Sequence, residues 1–124
     1  MKITRLEDVT TWKAARELTR LVYMATEGRG FQRDADLSRQ MRGAAVSAMA
    51  NIAEGFDSGS DPEFRRFLKI ARRSATELQS HLYVAADRKY IDQKGFESLY
   101  AGTRDLKNLI GGFLRHLKKS RIST

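Results

Sequence analysis

Apolar side chains recur along four stretches of this chain at steps of three and four residues, the spacing that gathers them on one side of an α-helix. In the first, over about residues 10–27, Ala14, Leu18, Leu21 and Ala25 form a stripe with Ala15 and Val22 beside it, while Lys13, Arg16 and Arg20 face away. Gly28 and Gly30 follow, and both are expected to end the helix with the positive φ that glycine tolerates. In the third stretch, about 61–88, Phe64, Leu68, Ala71, Ala75, Leu78, Leu82 and Ala85 repeat at steps of four and three. Asp61 is its expected cap, with Pro62 suited to the first helical position and Glu63 to the positive end of the helix dipole. The fourth stretch, about 92–118, starts at the cap residue Asp92, with Ile91 and Phe96 spaced as a hydrophobic staple. Phe96, Leu99, Thr103, Leu106, Ile110, Phe113 and Leu117 carry its stripe, which Gly111 and Gly112 interrupt as a close packing point or bend.

The second stretch, about 34–56, differs in kind. Residues 43–53 carry no charge, so no charged side is available to face water and the helix is expected to be covered on most sides. Gly43, Ala44, Ala45, Ser47, Ala48, Ala50 and Ala53 would let neighbouring helices come close. A four-helix bundle covers about half of each member, so the additional cover points to a subunit interface. Short connections between long amphipathic helices predict an all-α fold, an antiparallel up-down-up-down four-helix bundle, as a single domain over residues 1–124.

Composition adds the class of protein. The chain has 124 residues, the length of one domain, and its 41% hydrophobic residues suffice for a core. The absence of cysteine excludes a disulfide scaffold, thiolate zinc sites and cysteine nucleophiles. No N-terminal apolar run resembles a signal peptide, and no apolar run of about 18–20 residues could span a bilayer. A cytoplasmic protein with no membrane partner is expected. The formal charge of +8 raises the question of an anionic partner.

Catalytic chemistry finds little support. Di-iron bundles need carboxylates from all four helices and two Glu-x-x-His pairs, whereas Glu77 and His81 are four apart and His116 is the other histidine. Ser47 and Ser74 lack a glycine-flanked elbow, and there is no phosphate loop or dinucleotide fingerprint. No metal, cofactor or catalytic residue is assigned, and the chain reads as a non-enzyme. An enzyme using Glu54, Glu77 and His81 is the most distant alternative.

Two polar features remain. Gln40, Ser47, Asn51 and Glu54 fall within about 60° on one side of the second helix, and Ser74, Glu77 and His81 form a similar row on the third. Beside so many alanines, these rows are expected in an interior or interface, with Arg42 as a counter-charge for Glu54 or Glu77. They form either a binding site or a hydrogen-bond network that fixes helix register or subunit pairing. The second feature is basic: Arg65, Arg66, Lys69, Arg72 and Arg73 lie close together with no acid among them, and Arg115, Lys118, Lys119 and Arg121 form a second cluster. Arginine supplies most of the chain's cations and suits bidentate phosphate contacts. Such clusters either neutralise nucleic-acid phosphates, RNA before DNA, or serve as a solvated helix face. Phe64, Phe67 and Tyr83 fall on apolar rows, which leaves base stacking without an obvious platform.

The segments that carry the polar rows also carry a family resemblance. Trp12-Lys13-Ala14-Ala15-x-x-Leu18, Leu37-x-x-Gln40-x-Arg42-x-Ala44-Ala45-Val46-Ser47 and Asn51-Ile52-Ala53-Glu54-Gly55 resemble the 23S rRNA intervening-sequence protein family. Phe64-x-x-Phe67-Leu68-x-Ile70-Ala71-x-x-Ser74-x-x-Glu77-Leu78 and Tyr90-Ile91 extend the match from about Leu6 to Leu117. Two positions depart: Met49 stands where the family commonly has proline, and Arg73 where it often has a small residue. The resemblance implies a small basic bundle that can assemble as a homopentamer, many members being encoded within insertions in bacterial 23S rRNA genes. It also implies similarity to the accessory variability protein of diversity-generating retroelements, a pentameric bundle that works with a reverse transcriptase and nucleic acid. It implies no catalytic residue. Gln40, Arg42, Ser47, Asn51, Glu54, Ser74 and Glu77 carry over as a shared polar core or interface set.

The resulting expectation is a homo-oligomeric, non-enzymatic bundle, with a pentamer favoured, that meets RNA or a ribonucleoprotein through Arg65, Arg66, Lys69, Arg72, Arg73, Arg115, Lys118 and Lys119. The alternative is a protein–protein adaptor whose partner carries the chemistry and which binds no nucleic acid.

Overall fold

A computed structural model describes residues 3–122, with side chains described as far as residue 117. Among the described residues all regular structure is helical. A 3-10 turn at Leu6–Asp8 leads into α1 (Thr10–Ala25), a one-turn helix α2 (Arg29–Gln32), then α3 (Ala35–Asp57), α4 (Asp61–Asp87) and α5 (Gln93–Ile122). The four long helices occupy the four stretches marked by apolar periodicity. α2 was not anticipated: it is a corner whose Phe31 is 2% exposed and closes one end of the core.

Local chemistry sets the helix ends. Asp34 caps α3 by accepting the Leu37 N–H at 3.1 Å, and Asp92 caps α5 by accepting the Gly95 N–H at 2.7 Å. The cap of α4 is Ser60, not Asp61: its backbone is extended and its Oγ accepts the Glu63 N–H at 3.4 Å, leaving Asp61 inside the first turn. The Ser60-x-x-Glu63 spacing is the sequence signature of such a start. The expected role of Gly28 and Gly30 is also corrected. α1 already ends at Ala25, and Gly28 has φ −65° as the residue preceding α2. Gly30 is required for space instead, since a Cβ there would lie 2.7 Å from Cδ1 of Tyr90. Positive φ among the described residues occurs at Gly59 (82°) and Lys89 (63°). Lys89 closes α4 in a Schellman arrangement, with Tyr90 N–H bonding Ala85 O at 2.9 Å and Lys89 N–H bonding Ala86 O at 3.0 Å.

Packing joins α1 to α3, α3 to α4, α4 to α5 and α5 back to α1, a closed cycle of four helices. Residue numbers rise on one helix as they fall on its neighbour. Thr19 reaches Ala45 while Thr26 reaches Arg42. Ser47 meets Ser74 while Gly55 lies on Phe64 and Phe67. Phe64 meets Phe113 while Tyr83 meets Phe96. That order is the sense of an antiparallel pair. Leu18, Val22, Met41, Ile52, Leu68, Leu78, Leu82, Leu106 and Ile110 fill the centre. The α3–α4 contact is the most extensive, with the small residues Ala44, Ala48 and Gly55 of α3 on that side. A Cβ on Gly55 would come within 2.8 Å of Phe64 Cδ1, so only glycine fits this approach without repacking. Thr103, fully buried in the apolar stripe of α5, donates its hydroxyl to Tyr100 O at 2.6 Å and so costs little desolvation. No helix among the described residues is long and apolar enough to cross a membrane.

Candidate nucleic-acid interface

The core stripe of α4 leaves its opposite side to solvent, and the basic residues stand there. Lys69, Arg72 and Arg73 are exposed, and no ion pair among the described residues involves them. Arg66 is different. Its Nε and Nη2 donate to the two Glu63 carboxylate oxygens at 3.0 and 3.2 Å, and its guanidinium lies 4.4 Å from the Phe67 ring centroid. The hydrogen bond from Arg66 holds the Glu63 carboxyl below the ordinary carboxylate range, and the same bond raises Arg66. Arg65 is half-buried, and its Nε is shielded from solvent without a hydrogen-bond partner among the described residues.

These cations adjoin a shallow seam. Pro62, Arg65, Arg66 and Lys69 line one depression, and Arg72, Arg73, Thr76 and Lys107 line the next. Lys107 comes from α5, where its Nζ donates to Gln79 Oε1 of α4 at 3.1 Å. Lys107 belongs to no basic run along the chain and joins the cluster only through the α4–α5 pairing. Arg115 is exposed on α5. Lys118, Lys119 and Arg121 lie outside the residues whose side chains are described.

The polar rows divide. Ser47, Asn51 and Ser74 come together between α3 and α4. Ser74 Oγ donates to Ile70 O at 3.2 Å, Ser47 and Ser74 hydroxyls are 2.9 Å apart, and Asn51 Nδ2 donates to Ser47 O at 2.8 Å and Ser47 Oγ at 3.2 Å. These bonds link Asn51, Ser47, Ser74 and Ile70 O in one chain across the α3–α4 contact. Gln40 is exposed and donates to Asp36 at 3.0 Å, and Glu54 and Glu77 are exposed. Within this chain they belong to no core network. Glu77 instead pairs with His81 Nε2 at 3.2 Å.

Arg42 is not the counter-charge of Glu54 or Glu77. It lies about 140° around α3 from Ser47 and about 18 Å along the axis from Glu54. Its Nε donates to Thr26 Oγ1 at 2.8 Å, and its guanidinium covers the Tyr23 ring at 4.6 Å. Tyr23, Thr26, Arg39, Arg42, Gly43 and Val46 belong to an open groove of about 660 Å³ between α1 and α3. Beyond it, residues 43–53 of α3 carry no charge, and of these Gly43, Val46 and Ala50 are exposed, with Val46 at 41%.

The apolar rows also conceal an aromatic surface. Tyr83, placed on an apolar row by its spacing, is 53% exposed. Its ring lies 5.0 Å from Phe96 and 5.7 Å from Tyr100, and Phe96 stacks on Tyr100 at 5.4 Å. The neighbouring Tyr100 phenol pushes the Tyr83 hydroxyl's ionisation up. Among the described residues no group of histidine and carboxylate side chains is arranged to hold a metal ion.

Known proteins were compared with this fold and surface. The model of the family described as 23S rRNA-intervening sequence protein matches residues 7–112. A crystal structure of a protein of unknown function from the S23 ribosomal protein family of Bacteroides thetaiotaomicron is similar, with TM-score 0.79 and 22% identity, covering 89% of this chain and 99% of the other. No curated protein matches the chain.

Proposed function

Because the chain belongs to the 23S rRNA-intervening sequence protein family, we propose that it is a non-enzymatic, cytoplasmic, homo-oligomeric bundle that binds RNA or a ribonucleoprotein through its arginine-rich surface. The observation that carries this reading is the side of α4 where Lys69, Arg72 and Arg73 stand exposed, beside Lys107 of α5 and outside every ion pair of the described residues. Cations left without carboxylate partners keep their full attraction for phosphate, and displacing counterions from the nucleic acid supplies affinity without sequence preference. Arg66, held by Glu63, contributes less until that pair opens.

Self-association rests on the other side of the bundle. Gly43, Val46 and Ala50 leave an uncharged stripe on α3 that nothing among the described residues covers. A second copy is the favoured cover, and a pentamer is the favoured assembly. In a closed ring each basic surface recurs by symmetry, so weak contacts with one RNA add.

The test is light scattering on a size-exclusion column, with and without a short structured RNA, at low and high salt. The expected result is a pentamer-sized species that shifts with RNA at low salt and not at high salt. A monomer that ignores RNA at every salt concentration overturns both halves of the reading.

A further inference from the structure

We propose that the seam between α4 and α5 is built for an unpaired stretch of RNA, with phosphates on its cationic half and a base stacked on Tyr83 at the other. This rests on the RNA-binding reading above and specifies the form of RNA.

Helical register aligns the residues concerned. Arg65, Lys69, Arg72, Thr76, Gln79 and Tyr83 are spaced by four, three, four, three and four, which keeps them in one row on the α5 side of α4. Nothing in this row is acidic. The row spans about 27 Å at 1.5 Å per residue, and Tyr83 lies about 16 Å beyond Arg72. From α5, Lys107 enters at the level of Thr76 and Gln79, and Tyr100 and Phe96 enter at the level of Tyr83. Two chemistries therefore follow each other along one seam, first guanidinium and ammonium groups, then aromatic rings.

Each half alone has an ordinary explanation. A basic helix side aids solubility, and an exposed tyrosine is common on a surface. Their placement in series is the informative point. A duplex offers its phosphates to a protein but keeps its bases stacked on one another, so it could use only the cationic half. An unpaired strand can lay its backbone along Arg65, Lys69, Arg72 and Lys107 and turn a base onto an exposed ring. Tyr83 suits that role, since Phe96 and Tyr100 buttress it from one side while more than half of the residue stays open to solvent. Buttressing fixes the ring before binding, which lowers the ordering cost of a stacked base.

The experiment is fluorescence anisotropy at low salt with the full chain, using a labelled oligouridylate of about ten nucleotides and a blunt RNA hairpin of matched phosphate number. Tyr83→Ala is expected to weaken the oligouridylate about tenfold and to change hairpin binding less than twofold. Tyr83→Phe, which keeps the ring, should bind as the parent does. It also guards against a folding defect in the alanine variant, which circular dichroism would reveal. Arg72→Ala with Lys107→Ala should weaken both RNAs. If Tyr83→Ala binds the oligouridylate as the parent does while the double variant weakens both RNAs, this inference fails and the broader RNA-binding reading stands. If the parent binds neither RNA, both fail.

Discussion

α3 and α4 pack on each other more extensively than any other pair in the bundle, and their outer sides are opposites. α3 shows water a strip of Gly43, Val46 and Ala50, while α4 shows it Lys69, Arg72 and Arg73. Their inner sides obey one rule, with apolar residues at three-four spacing and small residues wherever the backbones approach. The difference lies entirely outside the core, so it has no bearing on how the chain folds. It reports what each side meets afterwards: a strip without charge gains by being covered, whereas a strip of unpaired cations gains by meeting an anion.

The sharpest way to break this contrast is to treat the two sides of α3 alike. Gly55→Leu should lower stability by about 3 kcal/mol in urea unfolding, because the new side chain enters Phe64 and Phe67. A Cβ at Gly43 meets nothing within 4 Å, and Gly43→Leu should leave the unfolding free energy of the subunit nearly unchanged while altering the light-scattering mass. Equal losses of subunit stability would erase the distinction between inner and outer sides.

On α4 the corresponding change is Lys69→Ala, Arg72→Ala and Arg73→Ala together. Binding of single-stranded RNA should lose a slope of about 2 in log affinity against log salt, from roughly 0.7 for each phosphate contact removed. An unchanged slope would place the contacts elsewhere, with Arg115 the next residue to test.

A smaller effect is expected between the two helices. Ser74→Ala removes the link between Ser47 and Ile70, and should cost about 1 kcal/mol in the same unfolding measurement. A much larger loss, accompanied by dissociation of the oligomer, would move this network from holding helix register to holding subunits together.

The smallest effect concerns Glu63. Its folded carboxyl is held below the ordinary range by Arg66, so its contribution to stability is present above the unfolded pKa and disappears as pH falls through the folded value. The group is exposed, so the change in thermal midpoint on acidification should be slight and should shrink further in Glu63→Gln. The same substitution frees Arg66 for phosphate and should tighten RNA binding about two- to threefold. Weaker RNA binding would mean that Glu63 orients Arg66 for the contact instead of competing for it.

Much of this molecule could be read along the chain. Core positions follow from periodicity because a helix repeats its geometry every few residues, and Asp34 and Asp92 act as caps through contacts within one turn. The misreadings have local or long-range causes. At the start of α4 the Ser60-x-x-Glu63 signature prevails over Asp61 as the cap. Lys89 adopts positive φ without being glycine, and no residue type announced it. Arg42 stands twelve residues from Glu54, a separation along α3 that already keeps the two apart. Of the polar rows, Ser47, Asn51 and Ser74 meet because two helices bring them level, which no spacing within either helix could reveal.

By itself the sequence determined the class of fold, the bounds of the long helices to within a few residues, and the basic character of α4. All three depend on interactions between residues close in sequence or on composition. Only the tertiary structure decided that Lys107 stands beside Arg72, that Tyr83 is buttressed by Phe96 and Tyr100 yet open to solvent, and that Arg42 answers to Tyr23 and Thr26. Those juxtapositions depend on the register between helices, which is set where Gly55 and the alanines of α3 meet the ridges of α4 and where the rings of α4 and α5 interlock.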